Sequence, residues 1–198
     1  MKQNSIPGRE VTPLTANRTP VRCVVPLVAV VGSSGSGKTT LIEALLPRLA
    51  AMGLRVAVVK HAHRGVELDR PGKDTYRAAA AGAVQVAVGS GSDWAVMGRV
   101  VPSRAEPSLE WLASRLDLSQ VDLVLAEGFH FERCAKLEVH RPEHGRALLC
   151  SGDPDLLAIA TDAPLAGSTV RLFDLNDPAA IADFIAGYLT THRRAQAV

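Results

Sequence analysis

Apolar residues along this chain fall in short dense blocks, separated by polar, glycine-rich connectors. Val24–Val31 is almost wholly apolar. Pro26 has no amide to give a sheet ladder, so the pattern predicts a strand from near Leu27, apolar on both faces as buried parallel strands are. Over Thr39–Met52 the period changes, and Leu41, Leu45, Leu46 and Leu49 fall on one helical stripe. Pro47 conflicts with that helix and predicts a kink, and Gly53 predicts its stop. Arg55–Val59 reads as a second buried strand, followed by a polar loop from Lys60 to Asp74. Asp74 is placed to cap a helix over Thr75–Ala81. Val84–Val88 and Trp94–Met97 read as strands joined by a turn at Gly89–Ser92, and Ser108–Leu116 as an amphipathic helix. Further strands are predicted over Val121–Ala126, Leu137–His140, Leu156–Thr161 and Val170–Phe173. Asp177-Pro178 opens a last helix that runs to about Leu189. Such alternation predicts an α/β fold: a doubly wound, mostly parallel sheet flanked by helices, with ligands beyond the carboxyl ends of its strands.

Composition narrows this picture. The 198 residues are 47% hydrophobic and only 4% aromatic, enough for one domain whose core is built from Ala, Val and Leu. Residues 1–22, with Pro7, Pro13 and Pro20 among polar neighbours, read as a disordered leader. Residues 23–190 are expected to form the folded domain, and 191–198 a frayed tail. Lys and Arg total 22 against 20 Asp and Glu, so bulk charge makes no case for nucleic acid as a partner. Three cysteines without paired spacing argue against a disulfide framework or a structural zinc site. No apolar run reaches the roughly 18 residues of a membrane span, and the N-terminus lacks the apolar stretch of a signal peptide, so the expected location is cytoplasmic.

The segment after the first strand carries the strongest chemistry. Gly32-Ser33-Ser34-Gly35-Ser36-Gly37-Lys38-Thr39 matches the phosphate-binding pattern G-x-x-x-x-G-K-[ST], between a buried strand and a helix as that pattern requires. The glycines let backbone amides curl around a phosphate. Lys38 supplies a point charge to the β- and γ-phosphates, and the Thr39 hydroxyl is a ligand for Mg²⁺. The fold class is therefore refined to the P-loop NTPase type. Magnesium also calls for a carboxylate. Asp122 and Glu127 bracket one predicted strand and stand roughly 17 Å apart. Asp122 is at the amino end; Glu127 is at the carboxyl end with the phosphates, and is expected to serve the metal directly or through a water.

A second group of polar residues leaves the end of the second strand. Lys60, His61, His63, Asp69, Lys73 and Asp74 crowd into 15 residues, a density that marks a site more often than a linker. Lys60 or Lys73 is placed to touch phosphate, and Asp69 or Asp74 to orient water. The Asn-Lys-x-Asp signature by which many GTPases read guanine is missing. Asp162 and Asp174, each ending a predicted strand, are the candidates to accept hydrogen bonds from a guanine edge. Arg99 and Arg104 lie in a loop placed to act as the lid that a small-molecule kinase, the alternative reading, would need, but nothing in the sequence pairs them with an acceptor site. No Gln or Arg is evidently placed to orient an attacking water, so any hydrolysis is expected to be slow.

Taken in order, Gly32-x-Ser34-Gly35-x-Gly37-Lys38-Thr39-Thr40, Val59-Lys60-His61-x-His63, Asp69-x-Pro71-Gly72-Lys73-Asp74, Ala81-Gly82-Ala83 and Asp122-Leu-Val-Leu-Ala-Glu127-Gly128-Phe129 resemble the MobB family of molybdopterin-guanine dinucleotide biosynthesis adapters. The resemblance runs from about Val24 to Leu189, with His130 where the family usually carries a basic residue. It implies a homodimer that binds GTP with Mg²⁺, hydrolyses it weakly, and assists a MobA-type guanylyltransferase that joins GMP to molybdopterin. The pterin phosphate is a candidate further ligand. Carried onto this sequence, Gly32, Ser34, Gly35, Ser36, Gly37, Lys38, Thr39 and Thr40 would hold the GTP phosphates, and Lys60, His63, Asp69 and Asp74 would line the same crevice.

Overall fold

The computed structural model describes residues 18–62, 69–98 and 106–196, with side chains to Thr191. Its chain divides into two compact units, Ala62–Ser108 and the remainder on either side of it. His63, Arg99 and Arg104 lie outside the described residues.

The first unit is an α/β layer structure. Its strands are β1 (Leu27–Val31), β2 (Val56–Lys60), β5 (Leu123–Glu127), β6 (Ala135–His140), β7 (Leu156–Thr161) and β8 (Arg171–Asp174). They form one six-stranded sheet in the order β2-β5-β1-β6-β7-β8, with every neighbouring pair parallel. The period of two in a strand decides how each face is covered. From β1, Val28 and Val30 enter one core together with Leu123 and Leu125 of β5. Leu27, Ala29 and Val31 enter the other with Val124 and Ala126. Both β1 faces must be apolar because helices lie on both sides.

The first core is closed by α1 (Lys38–Ala51) and α4 (Pro178–Gln196). Leu41, Ile42, Leu45 and Leu49 form the buried stripe of α1. The helix continues through Pro47, which lies on its exposed side. The matching stripe of α4 is Ile181, Ala182, Ile185 and Leu189. Its entry is as the sequence predicts: Pro178 takes the first turn, and the Asp177 carboxylate accepts the Ala180 amide at 3.1 Å. The helix runs past Leu189 to Gln196. The opposite face carries α3 (Leu109–Ala113), shorter than the helix predicted over Ser108–Leu116, with Leu109 and Ala113 buried. Residues 18–22, counted with the leader on composition, lie on this unit: Pro20 bridges Arg133, and the Val21 amide donates to the Arg133 carbonyl at 2.9 Å.

The second unit holds α2 (Asp74–Ala80) and the antiparallel hairpin β3 (Gln85–Gly89) and β4 (Trp94–Gly98), in register Val86↔Met97 and Ala87↔Val96. Asp74 is not the cap expected of it. Lys73 takes the cap position without a side-chain bond, and Asp74 opens the first turn, 3.4 Å from Arg77. Trp94 and Val96 share one face of the hairpin and are 68% and 59% exposed. No helix among the described residues is long and apolar enough to cross a membrane.

Candidate functional site

The strand order reverses direction at β1, which has β5 on one side and β6 on the other. A crevice opens beyond the carboxyl ends of the strands at such a switch point. The chain leaves β1 there through Gly32, Gly35 and Gly37, with φ of 140°, 81° and 102°. Those values lie where side-chain-bearing residues are strained. Gly32 is fixed by space as well: a Cβ there would stand 2.3 Å from the Val139 carbonyl oxygen of β6. Gly37, in the left-handed region, turns the chain into α1, and the Leu41 amide closes on its carbonyl at 2.9 Å.

Lys38 folds back over this loop. Its ammonium donates to the carbonyls of Gly32 at 3.0 Å and Ser33 at 2.8 Å. Partial burial lowers the Lys38 pKa; the Glu127 carboxylate opposes that shift and the Lys60 ammonium adds to it. The Ser36 hydroxyl is fully buried and has no hydrogen-bond partner among the described residues. A cavity of about 340 Å³ opens here, lined by Ser34, Gly35, Gly37, Lys38, Thr39, Thr40 and Glu127.

Glu127 reaches the loop by strand register. It pairs with Val30 of β1 on one side and Lys60 of β2 on the other. The Thr39 hydroxyl donates to its carboxylate at 2.9 Å. The Lys60 ammonium lies 3.0 Å from the other carboxylate oxygen and 3.4 Å from the Thr39 hydroxyl. Asp122, at the other end of this strand, is held by the Arg55 guanidinium at 2.9 Å, away from the loop. After Glu127 the chain bends sharply through Gly128 and Phe129, with φ of 92° and 59°. The buried Phe129 ring meets the His61 ring at a centroid distance of 5.1 Å. A left-handed residue of this kind costs roughly 1–2 kcal/mol, which packing around the ring offsets.

Sequence reading missed Arg141. It follows β6 and lies against the glycine loop, its Nε donating to the Ser36 carbonyl at 3.2 Å. Its Nη1 is paired with Asp162, which follows β7. Asp162 therefore does stand near the loop, but its carboxylate engages Arg141. Arg146 adds a contact to the Ser34 carbonyl at 3.5 Å. The one available signal was position: Arg141 comes just after a strand end, on the side where ligands gather. Of the other residues singled out, Asp69 and Asp74 belong to the second unit. Asp69 accepts the Arg70 amide at 2.8 Å, and Asp74 is exposed beside Arg77.

The donor set is consistent with a magnesium nucleotide. Mg²⁺ favours hard oxygen ligands, which a hydroxyl and a carboxylate supply. A glycine loop and an ammonium suit phosphate.

Comparison with known proteins agrees with this geometry. The family profile described as "MobB: Molybdopterin guanine dinucleotide synthesis protein B" matches residues 27–162. A molybdopterin-guanine dinucleotide biosynthesis adapter protein of Escherichia coli (strain K12) is 41% identical over 174 residues, 85% of this chain and 95% of that protein. Its counterpart from Haemophilus influenzae is 41% identical over 165 residues, 83% and 90% of the two chains. Among solved structures, molybdopterin-guanine biosynthesis protein B superposes with a TM-score of 0.62 at 31% identity, over 82% of this chain and 99% of that one. MobB of Bacillus subtilis gives a TM-score of 0.65 at 28% identity, over 82% and 96%. A glycine loop at the sheet's switch point, a parallel sheet covered on both faces and relatives matched over nearly their whole length together place this chain in the MobB family.

Proposed function

We propose that this protein is a GTP-binding adapter with weak Mg²⁺-dependent GTPase activity, which assists guanylyltransfer to molybdopterin in molybdenum cofactor biosynthesis. The observation that carries the reading is the convergence of Lys38, Thr39 and Glu127 on one loop-lined cavity, in a chain of this family. In this reading Lys38 exchanges its two loop carbonyls for β- and γ-phosphate oxygens, and the loop amides hold the β-phosphate. Thr39 and Glu127 would hold Mg²⁺. When bound there, the ion neutralises charge on the phosphate oxygens.

Slow turnover follows from the groups at hand. Arg141 is committed to Asp162 and the Ser36 carbonyl, so it is not free to meet charge on a transferred phosphoryl group. The partner in this reading is a MobA-type guanylyltransferase, with the pterin phosphate a further candidate ligand and the cytoplasm the location. A homodimer belongs to it as well. The exposed Trp94 and Val96 support that, because large apolar side chains grouped on one face mark interaction surfaces.

Calorimetric titration with GTP and with ATP, each with Mg²⁺ at equal salt, tests the reading. GTP is expected to bind tighter, and Lys38→Ala is expected to abolish binding while leaving the fold intact. Equal affinity for ATP, undiminished binding by the variant, or turnover of many per second without a partner would each overturn it.

A further inference from the structure

The two oxygens assigned to the metal already share a cation. Lys60 is the last residue of β2 and Glu127 the last of β5, and the register sets them side by side. The Lys60 ammonium bridges the Glu127 carboxylate at 3.0 Å and the Thr39 hydroxyl at 3.4 Å. This differs from an ordinary surface ion pair. Glu127 is 11% exposed, its second oxygen is taken by Thr39, and the ends of two adjacent sheet strands fix both backbones. Most surface ion pairs lack such constraint.

We propose that Lys60 and the divalent cation compete for the same pair of oxygens, so that Lys60 keeps free Mg²⁺ out of the site and admits it only together with a nucleotide. The proposal rests on the phosphate-site reading and adds a residue that governs metal entry. Its physical basis is geometric. A magnesium ion sits about 2.0–2.1 Å from its oxygen ligands. An ammonium at hydrogen-bonding distance from the same two oxygens overlaps that position, and the two cations repel.

Without nucleotide, a displaced ammonium would gain only water. With one, the phosphate oxygens give it a new partner within reach of a rotation about its flexible stem. The Lys60 side chain is 55% exposed, so moving outward loses little burial. Lys38 and Lys60 are both cations beside the Glu127 carboxylate.

The test is binding of Mn²⁺, as a spectroscopic substitute for Mg²⁺, to the full-length protein without nucleotide, read by electron paramagnetic resonance. Lys60→Met and Lys60→Gln are each expected to bind Mn²⁺ at least tenfold tighter than the wild type. Adding Glu127→Gln to Lys60→Met is expected to remove that gain. With GDP present, the wild type is expected to bind Mn²⁺ tightly as well, so that its difference from Lys60→Met shrinks. Equal Mn²⁺ affinity of wild type and both Lys60 variants without nucleotide would overturn the proposal, as would a gain that survives Glu127→Gln. Nucleotide titration of the wild type separates the two levels. Failure to bind any nucleotide refutes the phosphate-site reading, whereas normal nucleotide binding with no gain at Lys60 refutes only the competition.

Discussion

Replacing Gly32 by alanine tests the loop geometry where it is tightest. The added methyl would lie 2.3 Å from the Val139 carbonyl oxygen and 2.9 Å from the Ser36 hydroxyl. The serine can turn aside, but the carbonyl belongs to β6, held on one side by β1 and on the other by β7. Residue 32 also has φ of 140°, which alanine adopts only under strain. Backbone strain of this kind costs roughly 1–3 kcal/mol. Forcing a methyl into a packed site adds about 1–3 kcal/mol more. The sum, about 2–6 kcal/mol, is a large part of the roughly 5–15 kcal/mol by which a domain is typically stable.

The assay is urea denaturation followed by the fluorescence of Trp111, in α3 of the first unit. Trp94→Phe removes the other tryptophan, which lies in the hairpin. With a urea slope of about 2 kcal/mol/M, the midpoint is expected to fall by about 1–3 M. Gly35→Ala is the control. Its φ is 81°, but no atom lies within 4 Å of the added carbon. Only the backbone term remains, about 1 kcal/mol, or about 0.5 M. An unchanged midpoint for Gly32→Ala, or an equal fall for both variants, would refute the argument that the Val139 carbonyl sets the loop's position.

Two further predictions concern groups around the loop and in the second core. Asp162→Asn frees Arg141 from its carboxylate partner and loosens the brace on the Ser36 carbonyl; affinity for GTP and ATP is expected to fall together, by about tenfold, roughly 1.4 kcal/mol. A loss confined to GTP in the same calorimetric titration would assign that carboxylate to the guanine edge instead. Burial pushes the Cys134 and Cys150 thiols up to about 12. Thiolate is the reactive form and is present below the pKa only as a minor fraction, about one part in 10,000 at pH 8, rising as pH rises. Both are expected to resist iodoacetamide in the native protein at that pH and to react in urea, as read by peptide mass spectrometry. Rapid native alkylation of either one would show that the second core is open to solvent.

The sequence made β1, the glycine loop and α1 legible because local pattern and chemistry agree there. An apolar strand, three glycines and a leucine stripe follow one another without a competing signal. Glu127 was legible for a related reason: its strand is continuous enough to tell one end from the other, and Asp122 duly stands at the far end with Arg55. The residues less easily read depend on partners distant in sequence. In β6, Lys136-Leu137-Glu138-Val139 alternates as a half-exposed strand would, yet Lys136 and Glu138 are 0% and 1% exposed. Lys136 is satisfied by Asp153 at 3.0 Å, and Glu138 by the amides of Leu149 and Cys150 at 2.6 and 3.0 Å. No periodicity reveals partners supplied by a loop more than ten residues away. Asp74 failed as a cap for a different reason. Lys73 is extended at the cap position, one residue earlier than the pattern placed it.

Those buried charges bear on the site itself. Burial raises the Glu138 pKa, while its two amide partners pull the other way, so the carboxylate is costly unless both bonds are made. The two bonds tie Leu149 and Cys150 to the middle of the sheet. The segment they anchor begins at the end of β6 and carries Arg141 and Arg146, which hold the carbonyls of Ser36 and Ser34 from outside the glycine loop. Lys38 holds those of Gly32 and Ser33 from within. Four successive or near-successive carbonyls of the loop, those of Gly32, Ser33, Ser34 and Ser36, are thus engaged by cations, two from within and two from outside. An apolar β6 would pack as well against its neighbours but would leave the bracing segment untethered. The charged residues in a central strand are best understood as the means by which the sheet tethers the segment that braces the glycine loop.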